Sequence, residues 1–170
     1  MIPLMKCSIP CLIFTLRTLV GSNTMNTKRF EMPIYCAIIL RKGNQVLLMQ
    51  RSESVILGGY QAFPGGGVDG SETITGATIR ESHEELGIIL QEKDLKFVHT
   101  LHVRSKFDKE YIAFFFQADH WTGEPTVMEP EKCDGLRWFD LDNLPENIVY
   151  SHKQAIDMMG QNKQFSEFGW

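Results

Sequence analysis

Positive charge is scarce in this sequence. Its 170 residues include 17 Lys and Arg against 21 Asp and Glu, which gives a formal net charge of −4. Proteins hold the phosphate backbone of nucleic acids through clustered Lys and Arg, so this balance argues against a nucleic-acid polymer as partner. It leaves room for a small phosphorylated substrate, because a bound metal ion can supply positive charge locally.

Cysteines are few, and long apolar runs are absent. The chain has 4 cysteines, and none stands with histidines at zinc-finger spacing. We expect no disulfide framework, which favours a reducing, cytoplasmic compartment. The apolar stretch within residues 1–24 is interrupted by Arg17 and is too short for a membrane-spanning helix, so we expect no membrane partner.

Residues 1–30 are expected to lie outside the folded domain. Lys6 followed by "CSIPCLIFTL" weakly resembles a signal peptide, but no small-residue cleavage site follows. Met25 is the favoured start, which would make the upstream residues a disordered or misassigned extension. The rest suits a single domain at residues 31–165, followed by a C-terminal tail at residues 166–170.

Apolar runs and turn signals beyond residue 30 predict a mixed α/β (α+β) fold. A hairpin turns at Gly43 and Asn44, a second pair of strands covers 95–104 and 110–120, and a short strand covers 135–141. Residues 52–73 read as a glycine-rich loop. A helix follows from Thr73 or Ser71 as cap to Gly87, and a closing helix begins at Ser151 as cap. Strands interleaved with two helices predict an α/β/α sandwich with a mixed sheet.

Three carboxylates crowd one turn of the first helix. Glu81 shares a face with both Glu84 and Glu85, because positions three and four apart are neighbours on a helix. At about 5 Å and an effective dielectric near 20, each pair costs on the order of 3 kcal/mol if partly buried. Such a cluster facing a cleft needs cations, and hard oxygen ligands favour magnesium or manganese. Metal-assisted attack of water on phosphorus is the chemistry that this donor set suits.

The glycine-rich loop before this helix has its own physical role. Gly65, Gly66 and Gly67 lack Cβ atoms, so the backbone can turn tightly and approach a ligand closely. Glu72 lies eight residues before Arg80, and bidentate hydrogen bonds between them would tie the loop to the helix.

These residues resemble the signature of the Nudix hydrolase family, in its bacterial MutT-like form. The segment "GGVDGSETITGATIRESHEELGI", from Gly66 to Ile88, matches the Nudix box at every polar and glycine position. The family expects a bulky apolar residue where Ser82 stands, and an aromatic residue is common in place of Gln61. The resemblance implies a Nudix-type sandwich, a Mg²⁺ cofactor with Mn²⁺ as the alternative, and homodimers as found commonly in the family.

The resemblance also assigns roles to individual residues. Glu81, Glu84 and Glu85 would be metal ligands, with the Gly66 carbonyl as an additional one. Either Glu84 or Glu85 would help to activate water, and Arg80 with Glu72 would orient the site. These four side chains, Glu72, Arg80, Glu84 and Glu85, form the expected catalytic set.

Candidates outside the box have weaker signals. Some Nudix enzymes use a further glutamate as base or ligand, and Glu129 and Glu131 are the candidates here. Arg104, near His102, and Lys132 could contact substrate phosphates, or they could be ordinary surface residues. Four aromatic residues could stack on a nucleobase or serve as packing: Tyr60, Phe63, Phe107 and Trp121.

The predicted function is hydrolysis of a phosphoanhydride bond in a nucleoside diphosphate linked to another moiety X, such as a nucleoside triphosphate or nucleotide sugar. The alternative is a Nudix-fold module that binds nucleotides without turnover, which should have a degraded box. A third reading, an isomerase of isoprenoid diphosphates, would need an acid/base cysteine, and neither Cys36 nor Cys133 suits that role.

Overall fold

The structure, a computed structural model, describes residues 29–106 and 109–170, and residues 31–170 form one compact unit. The prediction for residues 1–28 and the stacking candidate Phe107 lie outside the described residues. Two α-helices occur within the described part of the chain, α1 (Ile74–Leu86) and α2 (Tyr150–Gly160). The strands there are β1 (Ile34–Lys42), β2 (Gln45–Arg51), β3 (Gln61–Ala62), β4 (Gly65–Gly67), β5 (Lys96–Arg104), β6 (Glu110–Ala118), β7 (Cys133–Asp140) and β8 (Phe165–Phe168).

The sheet is mixed, as predicted, and runs in the order β3-β2-β1-β6-β5-β8. β1 lies parallel to β6, β5 is antiparallel to β6, and β8 is parallel to β5. β7 pairs with β2, and the short strand β4 pairs antiparallel with the beginning of β1. The carboxylate-bearing segment is therefore held at one end of the sheet, beside the first residues of β1.

Both faces of the sheet are covered. Ala37 and Ile39 of β1 join a core on the α2 side, which includes Ala155 of α2. Ile38 and Leu40 join a second core on the α1 side, together with Leu86. The alternation of a β-strand sends neighbouring residues to opposite faces, so the continuous apolar run of β1 reflects a strand that is buried on both sides. The layers form the predicted α/β/α arrangement. None of the helices described is long and apolar enough to cross a membrane.

Several local predictions are confirmed. The β1–β2 hairpin turns at Gly43, whose φ of 62° suits a glycine. Thr73 caps α1 by accepting a hydrogen bond from the Gly76 amide, and Gly87 ends the helix with a φ of 68°.

Three local predictions are wrong. Residues 61–62 and 65–67 form strands rather than loop, because they pair with β2 and β1, respectively. Ser151 does not cap α2, since the helix begins one residue earlier after Val149 and Ser151 is buried within it. Residues 166–168 are no tail, because β8 extends the sheet by pairing with Thr100–Val103 of β5.

His152 makes the fold sensitive to acid. Its Nδ1 accepts a hydrogen bond from the Phe63 amide at 3.0 Å, and its ring stacks on Phe63. Burial, with a smaller contribution from Arg51, lowers the pKa of His152 to about 4. The unfolded chain binds the proton near pH 6.5 and the folded chain does not, so stability falls as the pH falls through this window.

We expect this histidine to account for a loss of about 2 kcal/mol in the free energy of unfolding between pH 7 and pH 5. The measurement is urea unfolding of the wild type and of His152→Gln at both pH values. Glutamine can still accept from the Phe63 amide but does not titrate, so the variant should lose about 2 kcal/mol less on acidification. Equal losses in both proteins would contradict the assignment.

Candidate active site

The site forms where β4 meets the N-terminal half of β1 and the side of α1. β4 pairs with β1 through Tyr35–Gly67, Cys36–Gly66 and Ala37–Gly65. On α1, Thr78, Ser82 and Leu86 recur every four residues and are buried, so this stripe packs towards the sheet. The charged residues of α1 lie beside that stripe and reach the glycine strand.

Two glycines of β4 lie where an added side chain would meet a close neighbour. Gly65 has a φ of 147°, and a Cβ there would collide with the Cys36 carbonyl oxygen. A Cβ on Gly66 would collide with the carboxylate of Glu81. Glu81 therefore rests directly against the backbone of the glycine strand, in a cradle that any larger residue would fill.

Arg80 is the centre of the charged network. Its Nε and Nη2 bind the two oxygens of Glu72 at 3.2 and 2.8 Å, the bidentate pair expected from the sequence. Its Nη1 donates to Glu81 at 2.8 Å and to Glu84 at 2.9 Å, and Nη2 also donates to the Gly67 carbonyl. All five N–H donors of the guanidinium are thereby used.

This network leaves excess negative charge. Hydrogen bonds from Arg80, with help from the Asp69 amide, lower the pKa of Glu72, and the same carboxylates raise the pKa of Arg80. Three carboxylates hydrogen-bond a single guanidinium, and a fourth, that of Asp69, lies 3.9 Å from it, so the cluster carries excess negative charge. A divalent cation would balance this charge.

Glu85 has a different environment from its neighbours. It accepts a hydrogen bond from the Gly65 amide at 2.7 Å, which ties α1 to β4. Burial is the main cause that raises its pKa to about 7, and the charges of Glu81 and Glu129 add to the effect. Carboxyl groups with such raised pKa values are frequent at functional sites.

The oxygen atoms of this site are chemically suited to a hard divalent metal ion. The carboxylates of Glu81, Glu84 and Glu85 and the glycine backbone supply oxygen atoms of the kind that Mg²⁺ and Mn²⁺ prefer. Within residues 29–106 and 109–170, no group of three or more acidic, His or Cys side chains is arranged to hold a metal ion. The reason is local: Arg80 occupies the space between Glu81 and Glu84, and Glu85 bonds the Gly65 amide. Binding of a cation would require Glu81 and Glu84 to exchange partners.

The two glutamates proposed outside the box, Glu129 and Glu131, have different environments. Glu129 is partly buried and acts electrostatically on Glu85, and its carboxylate pairs with Lys132 at 2.7 Å. Lys132 in turn feels the charge of Glu85. Glu131 is exposed, and its recorded hydrogen bond is made by its backbone carbonyl with Ser54. Glu129 and Lys132 therefore lie within electrostatic range of Glu85, whereas the Glu131 side chain is exposed and acts on Lys132.

Arg104 and the aromatic candidates fall elsewhere. The Arg104 guanidinium lies over the ring of Trp170, at the strand pair farthest from β4. Trp121 stacks on Trp138 beside Lys42, at the opposite end of β1 from the glycine strand. Phe63 is buried, and Tyr60 contacts Tyr150. Tyr35 and Tyr150, which are exposed at the beginnings of β1 and α2, are not among the candidates from the sequence.

Ser82, the departure from the box, is compatible with the packing. It is completely buried, and its hydroxyl donates to the Thr78 carbonyl at 2.6 Å. The polar group is therefore satisfied within the helix, so its burial carries no unpaired hydroxyl.

In this site a glycine strand cradles a carboxylate, and the helix that follows carries an acidic cluster linked by Arg80. The NUDIX domain family model matches residues 31–159. The chain is 32% identical over 128 residues to the Nudix hydrolase YvcI of Bacillus subtilis, covering 72% of this chain and 77% of that protein. It is 31% identical over 137 residues to an ADP-ribose pyrophosphatase of Methanocaldococcus jannaschii, covering 76% of each. The crystal structure of a MutT NUDIX hydrolase from Burkholderia pseudomallei superposes with a TM-score of 0.69 at 29% identity, covering 75% of this chain and 98% of that one.

The chain belongs to the Nudix family. It is a pyrophosphohydrolase that acts on nucleoside diphosphates linked to a further moiety X, which confirms the enzymatic prediction over the non-catalytic alternative. The family depends on divalent metal ions.

Proposed function

We propose that this protein hydrolyses a nucleoside triphosphate or a nucleotide sugar with Mg²⁺ as the preferred ion, using Glu81, Glu84 and Glu85 together with the Gly66 carbonyl. The observation that supports this most strongly is the contact of Glu81 with the Gly66 backbone beside the Glu72–Arg80 pair. It places acidic side chains and a closely approachable backbone at one point.

The residues of the chain have distinct tasks in this proposal. Arg80, anchored by Glu72, holds Glu81 and Glu84 in position through its Nη1. Glu85 fixes the glycine strand through the Gly65 amide, and either Glu84 or Glu85 takes the proton of the attacking water. Glu129 acts as an additional base or ligand, and Lys132 contacts a substrate phosphate. When bound, the metal ion supplies positive charge to the phosphoryl oxygens and lowers the pKa of water.

Two relatives indicate which nucleotides should be tested first as substrates. Relatives include the ADP-ribose pyrophosphatase above and an 8-oxo-dGTP diphosphatase of Escherichia coli, which is 28% identical over 117 residues. The alignment with the ADP-ribose pyrophosphatase covers 76% of this chain and 76% of that protein. The alignment with the 8-oxo-dGTP diphosphatase covers 68% of this chain and 88% of that protein. ADP-ribose and 8-oxo-dGTP therefore belong in the first set of substrates to be tested. The buried free thiols of Cys36 and Cys133 accord with a reducing, cytoplasmic setting.

The test is a substrate panel with purified protein. Release of phosphate, pyrophosphate or nucleoside monophosphate is followed for normal and oxidised triphosphates, nucleotide sugars, ADP-ribose and dinucleoside polyphosphates. We expect one class to be turned over, with activity lost in EDTA and restored best by Mg²⁺. Equal turnover in EDTA, or better restoration by Mn²⁺, would contradict the proposed cofactor. No turnover of any nucleotide would contradict the proposed substrate class.

A further inference from the structure

All four tyrosines of the chain gather in two pairs on the α2 side of the sheet. The rings of Tyr35 and Tyr111 lie 5.0 Å apart, and those of Tyr60 and Tyr150 lie 5.9 Å apart. Both pairs lie near the beginning of the same helix, because the Ser151 side chain acts on the pKa of Tyr111 and Tyr150 is the first residue of α2. Chain positions 35, 60, 111 and 150 are far apart in sequence, so only the fold brings them together.

One ring of each pair is exposed, whereas the other, Tyr111 or Tyr60, is partly buried against the core. The exposed fractions of Tyr35 and Tyr150 are 44% and 49%. The ammonium group of Lys106 lies 5.3 Å from the ring centre of Tyr150. Exposed aromatic rings beside a cation suit a ligand that is planar and negatively charged.

The aromatic surface formed by these rings begins next to the acidic cluster. Tyr35 is the β1 partner of Gly67, whose carbonyl accepts from Arg80, and opposed residues of antiparallel strands have Cα atoms about 5 Å apart. Cys36, the next residue, turns to the α1 side, where its thiol reaches the Gly66 carbonyl. Tyr35 therefore lies across the end of the sheet from the carboxylates.

We propose that Tyr35, backed by Tyr111, is a specificity-determining residue on which the ring system of the substrate stacks while the diphosphate lies at the glycine strand. This inference rests on the proposed function, because it takes the phosphates to be held at Gly66 and Glu81. It adds to the proposed function the residue that holds the nucleobase, and Lys106, beside Tyr150, is available to a more distant anionic group.

The experiment compares variants on two substrates. Steady-state kinetics are measured for the best nucleotide of the panel and for inorganic tripolyphosphate, which has no ring. Stacking on an aromatic side chain corresponds to roughly a tenfold effect or more per base. We expect Tyr35→Ala to raise the KM for the nucleotide about tenfold with kcat little changed, whereas Tyr35→Phe keeps the wild-type KM. The kinetics with tripolyphosphate, where turnover occurs, should be the same in all three proteins.

Phe97→Ala is the matched control. Phe97 is an aromatic residue of similar exposure, 38%, at the far end of the same sheet, and its loss should leave the nucleotide KM unchanged. An unchanged KM in Tyr35→Ala overturns the inference while turnover itself leaves the proposed function intact. A fall in kcat shared by both substrates would also overturn it, since that result indicates a general disturbance of the site. Absence of nucleotide turnover in the wild type overturns the proposed function, and this inference with it.

Discussion

Glu85→Gln is expected to lower kcat by a factor of about 10² to 10⁴, the range typical for the loss of a positioned proton acceptor or metal ligand. Glutamine keeps the size of the side chain, and its carbonyl oxygen can still accept the 2.7 Å hydrogen bond from the Gly65 amide. The substitution therefore removes charge and basicity while the link between α1 and β4 persists. Glu84→Gln is measured in parallel, and the variant with the larger loss of kcat identifies the carboxylate that activates water.

The same substitution should stabilise the protein. Burial raises the pKa of Glu85 to about 7, so its ionised form is less favourable in the folded state than in the unfolded chain. The contribution of Glu85 to the free energy of unfolding is therefore fully present below about pH 4.5, and it is lost as the pH rises through 7. In EDTA at pH 8, Glu85→Gln should therefore be more stable than the wild type, by roughly 2 kcal/mol. Urea unfolding and steady-state kinetics on the same preparations measure both effects.

Glu124→Gln is the control for this pair of measurements. The Glu124 side chain is 87% exposed and faces Lys42, far from the glycine strand, so neither kcat nor stability should change appreciably. If Glu84→Gln and Glu85→Gln both keep full activity, the acidic cluster is not the reaction centre. If Glu85→Gln is inactive and also unfolds more easily, Glu85 has a structural role instead.

The parts of the site that could be read from the sequence are those with local causes. The spacing of Glu72 and Arg80, and the caps Thr73 and Gly87, depend on helix geometry over a few residues. The hairpin at Gly43 is likewise set by its own turn. Each of these appears in the structure as the sequence indicates.

The parts that escaped prediction depend on partners distant in the chain. Residues 65–67 look like loop because glycine has low strand propensity, yet they pair with β1 about thirty residues earlier. β8 was taken as tail for a similar reason, since its partner β5 lies more than sixty residues before it. The pairing of Tyr35 with Tyr111 follows only from the parallel register of β1 and β6. Carboxylate spacing alone also does not reveal that Glu85 turns inward while Glu84 remains exposed.

The three consecutive glycines of β4 should respond in three different ways to replacement by alanine. Gly65→Ala should destabilise the protein by about 3 kcal/mol, because the new Cβ meets backbone of β1 and the residue has a φ of 147°. Backbone of a central strand cannot move aside cheaply, so this variant should fold poorly whatever its chemistry.

Gly66→Ala should instead separate catalysis from folding. The three atoms nearest to its Cβ all belong to the carboxylate of Glu81, the mobile end of a long side chain. Glu81 can swing away, so we expect less than about 1 kcal/mol of stability to be lost. The displaced carboxylate leaves the position held by Arg80, and a misplacement of about 1 Å can reduce catalysis about 100-fold. Thermal unfolding and kcat/KM for the best substrate measure the two quantities.

Gly67→Ala is the matched control, since no atom lies within 4 Å of its added Cβ. It changes the same strand by the same methyl group, one residue away, and should be close to wild type in both measurements. Comparable loss of activity in Gly66→Ala and Gly67→Ala would mean that the strand needs glycine for flexibility, whereas full activity in Gly66→Ala would mean that the position of Glu81 does not matter. A selective loss at Gly66 ties the reaction to one contact, the carboxylate of Glu81 against a backbone with no side chain in between.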